Sequence, residues 1–141
     1  MARIIFLGTA GSTTVVNRGL RASGGIIIQV EDLQFHLDPG PGAIGQAVKY
    51  GVNLRHNTAV LVSHNHLNHC NDLNLVIDAM SYSGIEPRGV LIAPKSVVHP
   101  STSEHPVLLQ HYQKLIEKML VLGKNQKVGV VLCGRNILLE K

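Results

Sequence analysis

Residues 63–72 read Ser63-His64-Asn65-His66-Leu67-Asn68-His69-Cys70-Asn71-Asp72 and hold three of the chain's eight histidines. Just ahead, Thr58-Ala59-Val60-Leu61-Val62 is apolar and rich in β-branched residues, the pattern of a buried strand. Just behind, Leu73, Val76, Ile77 and Met80 recur at helical spacing, with Asn71 or Asp72 available as the N-cap. The histidines therefore occupy a tight turn between the carboxyl end of a strand and the amino end of a helix. In open α/β sheets ligands gather in that crevice. Side chains two apart leave extended chain on the same side, so His64 and His66 are expected to converge on one ion and His69 to serve a neighbouring one. A lone histidine is more often a solvated or core side chain, but three at this spacing point to a metal site.

Two further stretches lie upstream. Ile4-Ile5-Phe6-Leu7 reads as a strand ended by Gly8-Thr9-Ala10-Gly11-Ser12, where small residues let the backbone approach a ligand and successive N–H groups can nest an anion. A plain structural turn explains it equally well, and the Gly-Lys-Ser/Thr of a Walker loop is missing. Gly25–Val30 and Leu33–Leu37 form a hairpin about Glu31-Asp32, and the second strand runs into Leu37-Asp38-Pro39-Gly40-Pro41-Gly42.

With these three motifs in this order, residues 3–95 resemble the metallo-β-lactamase-fold hydrolases, whose signature is His-x-His-x-Asp-His. The Gly-Thr-x-Gly opening is most similar to the branch of ribonuclease Z and the cyclic-phosphodiester hydrolases. The resemblance implies an α/β fold with αβ/βα layers, of which this chain spans the amino-terminal half and the start of the second. It also implies a zinc-dependent hydrolase, with Mn2+ or Fe2+ as alternative ions, in which a metal-activated water attacks a phosphodiester or ester-type bond. His64 and His66 take the place of first-metal ligands and His69 that of a second-metal ligand. Asp38 either supports the metal site from nearby, orienting a ligand histidine, or caps the Pro-Gly turn. The chain departs from the signature at Asn68, which stands where the family has Asp. A neutral amide oxygen is a weak zinc ligand and cannot accept a proton as a general base.

The 141 residues are expected to form a single domain, incomplete at its carboxyl end. Hydrophobic residues at 45% and charged residues at 16% suit a globular chain, and no apolar run reaches the roughly 18 residues of a membrane span. Two cysteines, Cys70 and Cys133, make no disulfide framework, which suggests a reducing cytoplasm. The net charge of +4 permits an anionic substrate, but three Tyr and two Phe offer little for base stacking. Residues 13–24 read as a long loop in which Arg18 or Arg21 contacts a phosphate or, more simply, solubilises the surface.

Ile44, Ala47 and Val48 mark a short helix closed by Gly51, and Gly89–Pro94 a fifth strand, which completes an α/β alternation. Residues 95–106 read as a loop, Leu108 to Leu120 as one amphipathic helix with Pro106 in its first turn, and Lys127 to Leu139 as a hairpin across Gly134-Arg135-Asn136. His99, His105 and His111 are weak candidates for late metal ligands, and Cys133 another, each better explained by solvation or burial. Family members normally bring further ligating histidines from a second β-layer, yet nothing after His111 is a histidine. Three functions remain open: a hydrolase completed by another chain or an unusual ligand; a weakly active or inactive member that associates as a homodimer or with a partner covering its sheet; and a phosphate or nucleic-acid binding module.

Overall fold

β1 (Ala2–Gly8), β2 (Ser23–Val30) and β3 (Leu33–Leu37) form an antiparallel meander, and β4 (Ala59–Leu61), β5 (Val90–Pro94) and β6 (Lys118–Leu122) extend it with parallel pairings. The six strands lie in the order β1-β2-β3-β4-β5-β6, while β7 (Lys127–Leu132) and β8 (Arg135–Glu140) pair apart from them. The computed structural model describes residues 1–99 and 106–123, together with the backbone of 127–132 and 135–140. The expected hairpin turn at Glu31-Asp32 is present, with Val30 opposite Leu33 and Glu31 at a φ of 56°. The switch to parallel pairing at β3 follows from its crossovers. A chain leaving β3 must return through a helix to run alongside it.

One face of the sheet carries that helical layer. α2 (Ala43–Lys49) and α4 (Leu73–Met80) pack on Ile5, Leu7, Ile27, Val60, Leu91 and Ala93 in a single core. The helical spacing of Leu73, Val76, Ile77 and Met80 puts all four inside, each at 0% exposure. Burying side chains of this size stabilises by about 1.5–3 kcal/mol apiece. α2 stops as its sequence predicts. Gly51, at a φ of 66°, sends its N–H to Val48 O, and Val52 sends its own to Ala47 O, so two terminal carbonyls are satisfied. On the opposite face Ala59, Val90 and Ile92 are buried beside the half-buried Phe35, Leu61, Leu120 and Leu122. Among the described residues, no helix is long and apolar enough to cross a membrane.

Four expectations need correction. Leu108–Leu120 is not one helix: a single turn, α6 (Gln110–Gln113), is followed by strand β6. β5 is buried along its whole length and open on one edge, so pairing with Lys118–Leu122 outweighs the helical periodicity. The 13–24 loop contains a short helix, α1 (Thr13–Asn17), with Ser12 as its N-cap. The 95–106 loop likewise starts with a turn, α5 (Lys95–Val98), that buries Val97 and Val98. In the last hairpin Arg135 and Asn136 belong to β8, with Arg135 opposite Leu132. Residue 134 of the expected turn, like His105 and Cys133, lies outside the described residues.

Candidate metal centre

β3 and β4 end side by side, and everything in the site hangs from their carboxyl ends. The β3–β4 ladder runs one step past the strands, where Asp38 N–H donates to Leu61 O at 2.8 Å. Asp38 then takes the left-handed region, with a φ of 51°. That turn aims its carboxylate across at the chain leaving β4. Oδ1 accepts the Ser63 backbone N–H at 2.7 Å, while Oδ2 accepts the Ser63 hydroxyl at 2.8 Å and His69 Nδ1–H at 2.9 Å. The Asp38 carboxylate thus contacts a histidine of the motif.

The three histidines come together. His66 is the N-cap of a one-turn helix, α3 (Leu67–Cys70), which carries His69 back over His64. The His64 ring centroid lies 4.7 Å from that of His66 and 4.2 Å from that of His69. His64 Nε2 stands 3.1 Å from His66 Nδ1. Two imidazole nitrogens on one tetrahedral zinc, each at about 2.0–2.1 Å, are about 3.3 Å apart, so this pair fits a shared cation. A third donor is not yet in place: among the described residues, no group of three or more His, Cys, Asp or Glu side chains is arranged to hold a metal ion.

Asn68 sits beside the cluster. Its backbone oxygen accepts the Ser23 hydroxyl at 2.8 Å, and its amide reaches Gly11 O at 3.4 Å. A cavity of about 160 Å³ opens here, lined by Gly8, Ala10, Ser23, Gly25, Asn68 and His69 among others. Two glycines make this approach possible. A Cβ on Gly40 would strike the Ser23 and Asn68 carbonyl oxygens, and one on Gly25 would strike those of Leu37 and Asp38. The Gly8–Gly11 turn also borders the cavity, through Gly8 and Ala10 and through Gly11 O on the Asn68 amide.

The remaining candidates are elsewhere or inert. Arg18 and Arg21 are exposed and, among the described residues, make no side-chain hydrogen bond or ion pair. His99 is exposed at the end of α5, and His111 is exposed with its ring against Tyr112. Neither makes a hydrogen bond or ring contact with the cluster. Cys70 is buried against His66 O, and burial, helped by the charge of Asp38, pushes its thiol up to about 11. Its thiol therefore stays protonated at neutral pH and donates to that carbonyl. Asp72 stands ahead of α4, but its side chain does not cap that helix. Oδ2 instead accepts the Ala43 N–H of α2 at 2.9 Å. Sequence reasoning missed Ser63, whose only signal was a hydroxyl one position before His64. It also missed His36, fully buried on β3 with Nε2 bonded to Gly24 O at 2.8 Å.

No protein-family model matches the chain. It is 31% identical over 119 residues to the uncharacterized protein MJ1374 of Methanocaldococcus jannaschii, covering 84% of this chain and 45% of that one. It is 34% identical over 82 residues to the ribonuclease Z of Picrophilus torridus, covering 58% of this chain and 26% of that one. The chain thus spans less than half the length of these curated relatives. Among solved structures it is similar to the metallo-beta-lactamase fold protein YhfI of Bacillus subtilis, with a TM-score of 0.61 at 15% identity over 90% of this chain and 47% of that one. A diphosphatase of the PhnP family gives a TM-score of 0.57 at 16% identity, over 93% and 54% of the two chains. On these likenesses, which cover 90% and 93% of it, the chain has the metallo-β-lactamase fold.

Proposed function

We propose that this chain builds half of a divalent-metal hydrolase centre, with phosphodiesters or related phosphate esters as substrates and zinc as the first choice of ion. The observation that carries the reading is the 3.1 Å approach of His64 Nε2 to His66 Nδ1, the spacing of two ligands on one cation. In that reading His64 and His66 hold the first ion, and His69 offers its Nε2 to the same or a second ion while Asp38 holds its Nδ1–H. A cation bound there would acidify a water molecule and polarise the scissile bond. The cavity beside His69 and Asn68 takes part of the substrate, its small side chains leaving backbone close to it. The choice of phosphate esters is supported by the names of two similar proteins, a ribonuclease and a diphosphatase.

Elemental analysis of the purified chain tests this directly. About one ion of zinc, manganese or iron per chain is expected, lost in His64→Ala or His66→Ala, together with slow hydrolysis of bis(4-nitrophenyl) phosphate. A chain that retains no ion even after zinc addition removes the hydrolase reading.

A second reading has its own observations. Asn68 supplies only a neutral oxygen, and the described residues do not complete a three-ligand site. Both favour a catalytically weak chain that works in association, with a second copy or a partner chain covering the exposed β1 end of the sheet face, at Ile4 and Phe6, and supplying further ligands. Full hydrolysis by an isolated monomer would exclude that reading.

A further inference from the structure

Ser63 lies between the Asp38 carboxylate and the His64 imidazole. Its backbone N–H is bound to Asp38 Oδ1 at 2.7 Å and its hydroxyl to Oδ2 at 2.8 Å, so a single residue is clamped at two points on one acceptor. The same hydroxyl oxygen stands 2.8 Å from His64 Nδ1. A carboxylate only accepts, and a serine hydroxyl has one proton to give. If that proton went to His64 instead, two acceptor oxygens would face each other at 2.8 Å, and a charge-assisted bond would be lost for a neutral one. The proton therefore goes to Asp38, and the oxygen can only accept from His64. His64 must carry its own proton on Nδ1, which leaves the Nε2 lone pair directed at His66 Nδ1, 3.1 Å away.

We propose that Ser63 is a positioning residue: by passing the demand of Asp38 to His64 it fixes the Nδ1–H tautomer of that ring and turns the Nε2 lone pair toward His66. His69, bonded through Nδ1 to the same Oδ2, is set in the same sense without an intermediary. One carboxylate thus prepares two imidazoles, one directly and one through a hydroxyl. The value of this for cation binding rests on the metal reading above, whereas the tautomer itself does not. In cation-free protein His64 Nε2 accepts from His66 Nδ1–H, and a shared cation would require His66 to carry its proton on Nε2. His66 is then the ring that adapts and His64 the one already set.

The test is long-range proton–nitrogen NMR of the imidazoles in the 15N-labelled, metal-free chain at mildly alkaline pH. His64 is expected to show a protonated Nδ1 and an unprotonated Nε2. Ser63→Ala should shift His64 toward the Nε2–H form, in which it donates to His66, while Ser63→Thr, which keeps the hydroxyl, should restore the original pattern. A wild-type His64 protonated on Nε2 overturns the proposal without any variant. So does a folded Ser63→Ala chain whose His64 signals do not move. Competition with a chelator gives a separate reading of zinc affinity. Loss of the hydroxyl should weaken binding by about 10–100-fold and Ser63→Thr should recover it. If the wild type binds no zinc yet shows the expected tautomer, the metal reading fails and the role of Ser63 stands.

Discussion

His36 shows what a single residue does when burial and local bonding compete. Its ring is fully enclosed, with Nε2 on Gly24 O. Desolvation holds its pKa below the ordinary 6.5, and the bond to Gly24 and the charges of Asp38 and Asp72 only partly oppose it. The folded chain therefore resists a proton that the unfolded chain takes up, and stability is fully present above the unfolded value. As pH falls below 6.5 stability drops, by up to about 1.4 kcal/mol per pH unit until the folded pKa is reached. Urea unfolding between pH 8 and pH 5 should show this slope, and His36→Gln, which keeps a donor but does not titrate, should flatten it. Asn68 makes a different prediction. Asn68→Asp supplies a charged oxygen beside His69 and should tighten binding of a second ion by tenfold or more, about 1.4 kcal/mol by titration calorimetry. Unchanged stoichiometry and affinity would show that position 68 lies outside any second site. The histidine cluster was legible because its spacing alone forces proximity. His36 was not, because alternation along Leu33–Leu37 separates two faces without saying which meets the helices.

Elements meet in this fold through a few close approaches that local sequence does not announce. Asp72, with Asn71 one of two candidate N-caps of the helix that follows, does stand at its N-cap position, yet its carboxylate caps α2, whose first residue lies 29 positions upstream. Ala43 is fully buried, so no water can replace that acceptor. Asp72→Ala should cost about 1–2 kcal/mol in urea unfolding, and Asp72→Asn distinctly less, because an amide oxygen still accepts. Gly40 is the other such point. The turn after β3 passes so near the histidine loop that a methyl group there has nowhere to go, and Gly40→Ala should destabilise by about 1–3 kcal/mol while disturbing His69. Both contacts are long-range, and a one-dimensional pattern records propensity, not partners. The same limit explains residues 108–120. Leu108, Tyr112, Leu115, Ile116 and Met119 do recur at helical spacing, but the open edge of β5 recruits the last of this segment as a strand. The helix at 73–80 escaped such an override because its apolar stripe has a complete sheet face to cover.

Across the whole molecule, the α/β alternation was enough to expect a layered sheet with the histidines at a strand's carboxyl end, but not its mixture of an antiparallel meander over β1–β3 and parallel pairing from β3 to β6. What alternation could not convey is the second face. In the observed register Phe6, Ile26, Leu37, Leu61, Ile92 and Leu120 lie in one row across all six strands, and Ile4, Ile28, Phe35, Ala59 and Val90 in the next. Toward β1 this face meets water: Ile4 is 59% and Phe6 56% exposed. A contiguous apolar surface of this kind on a sheet invites a second layer. The associating reading makes that concrete for a second copy of this chain. Sedimentation equilibrium should reveal concentration-dependent self-association, and Phe6→Lys, placed at the exposed end of the row, should shift the population to monomer without lowering thermal stability. Salt separates this from charge-driven contact, because an apolar interface holds or strengthens as ionic strength rises whereas association through the chain's net positive charge would change sharply. A wild-type chain that stays monomeric at every concentration, with Phe6→Lys indistinguishable from it, would leave the sheet face without a partner of its own kind.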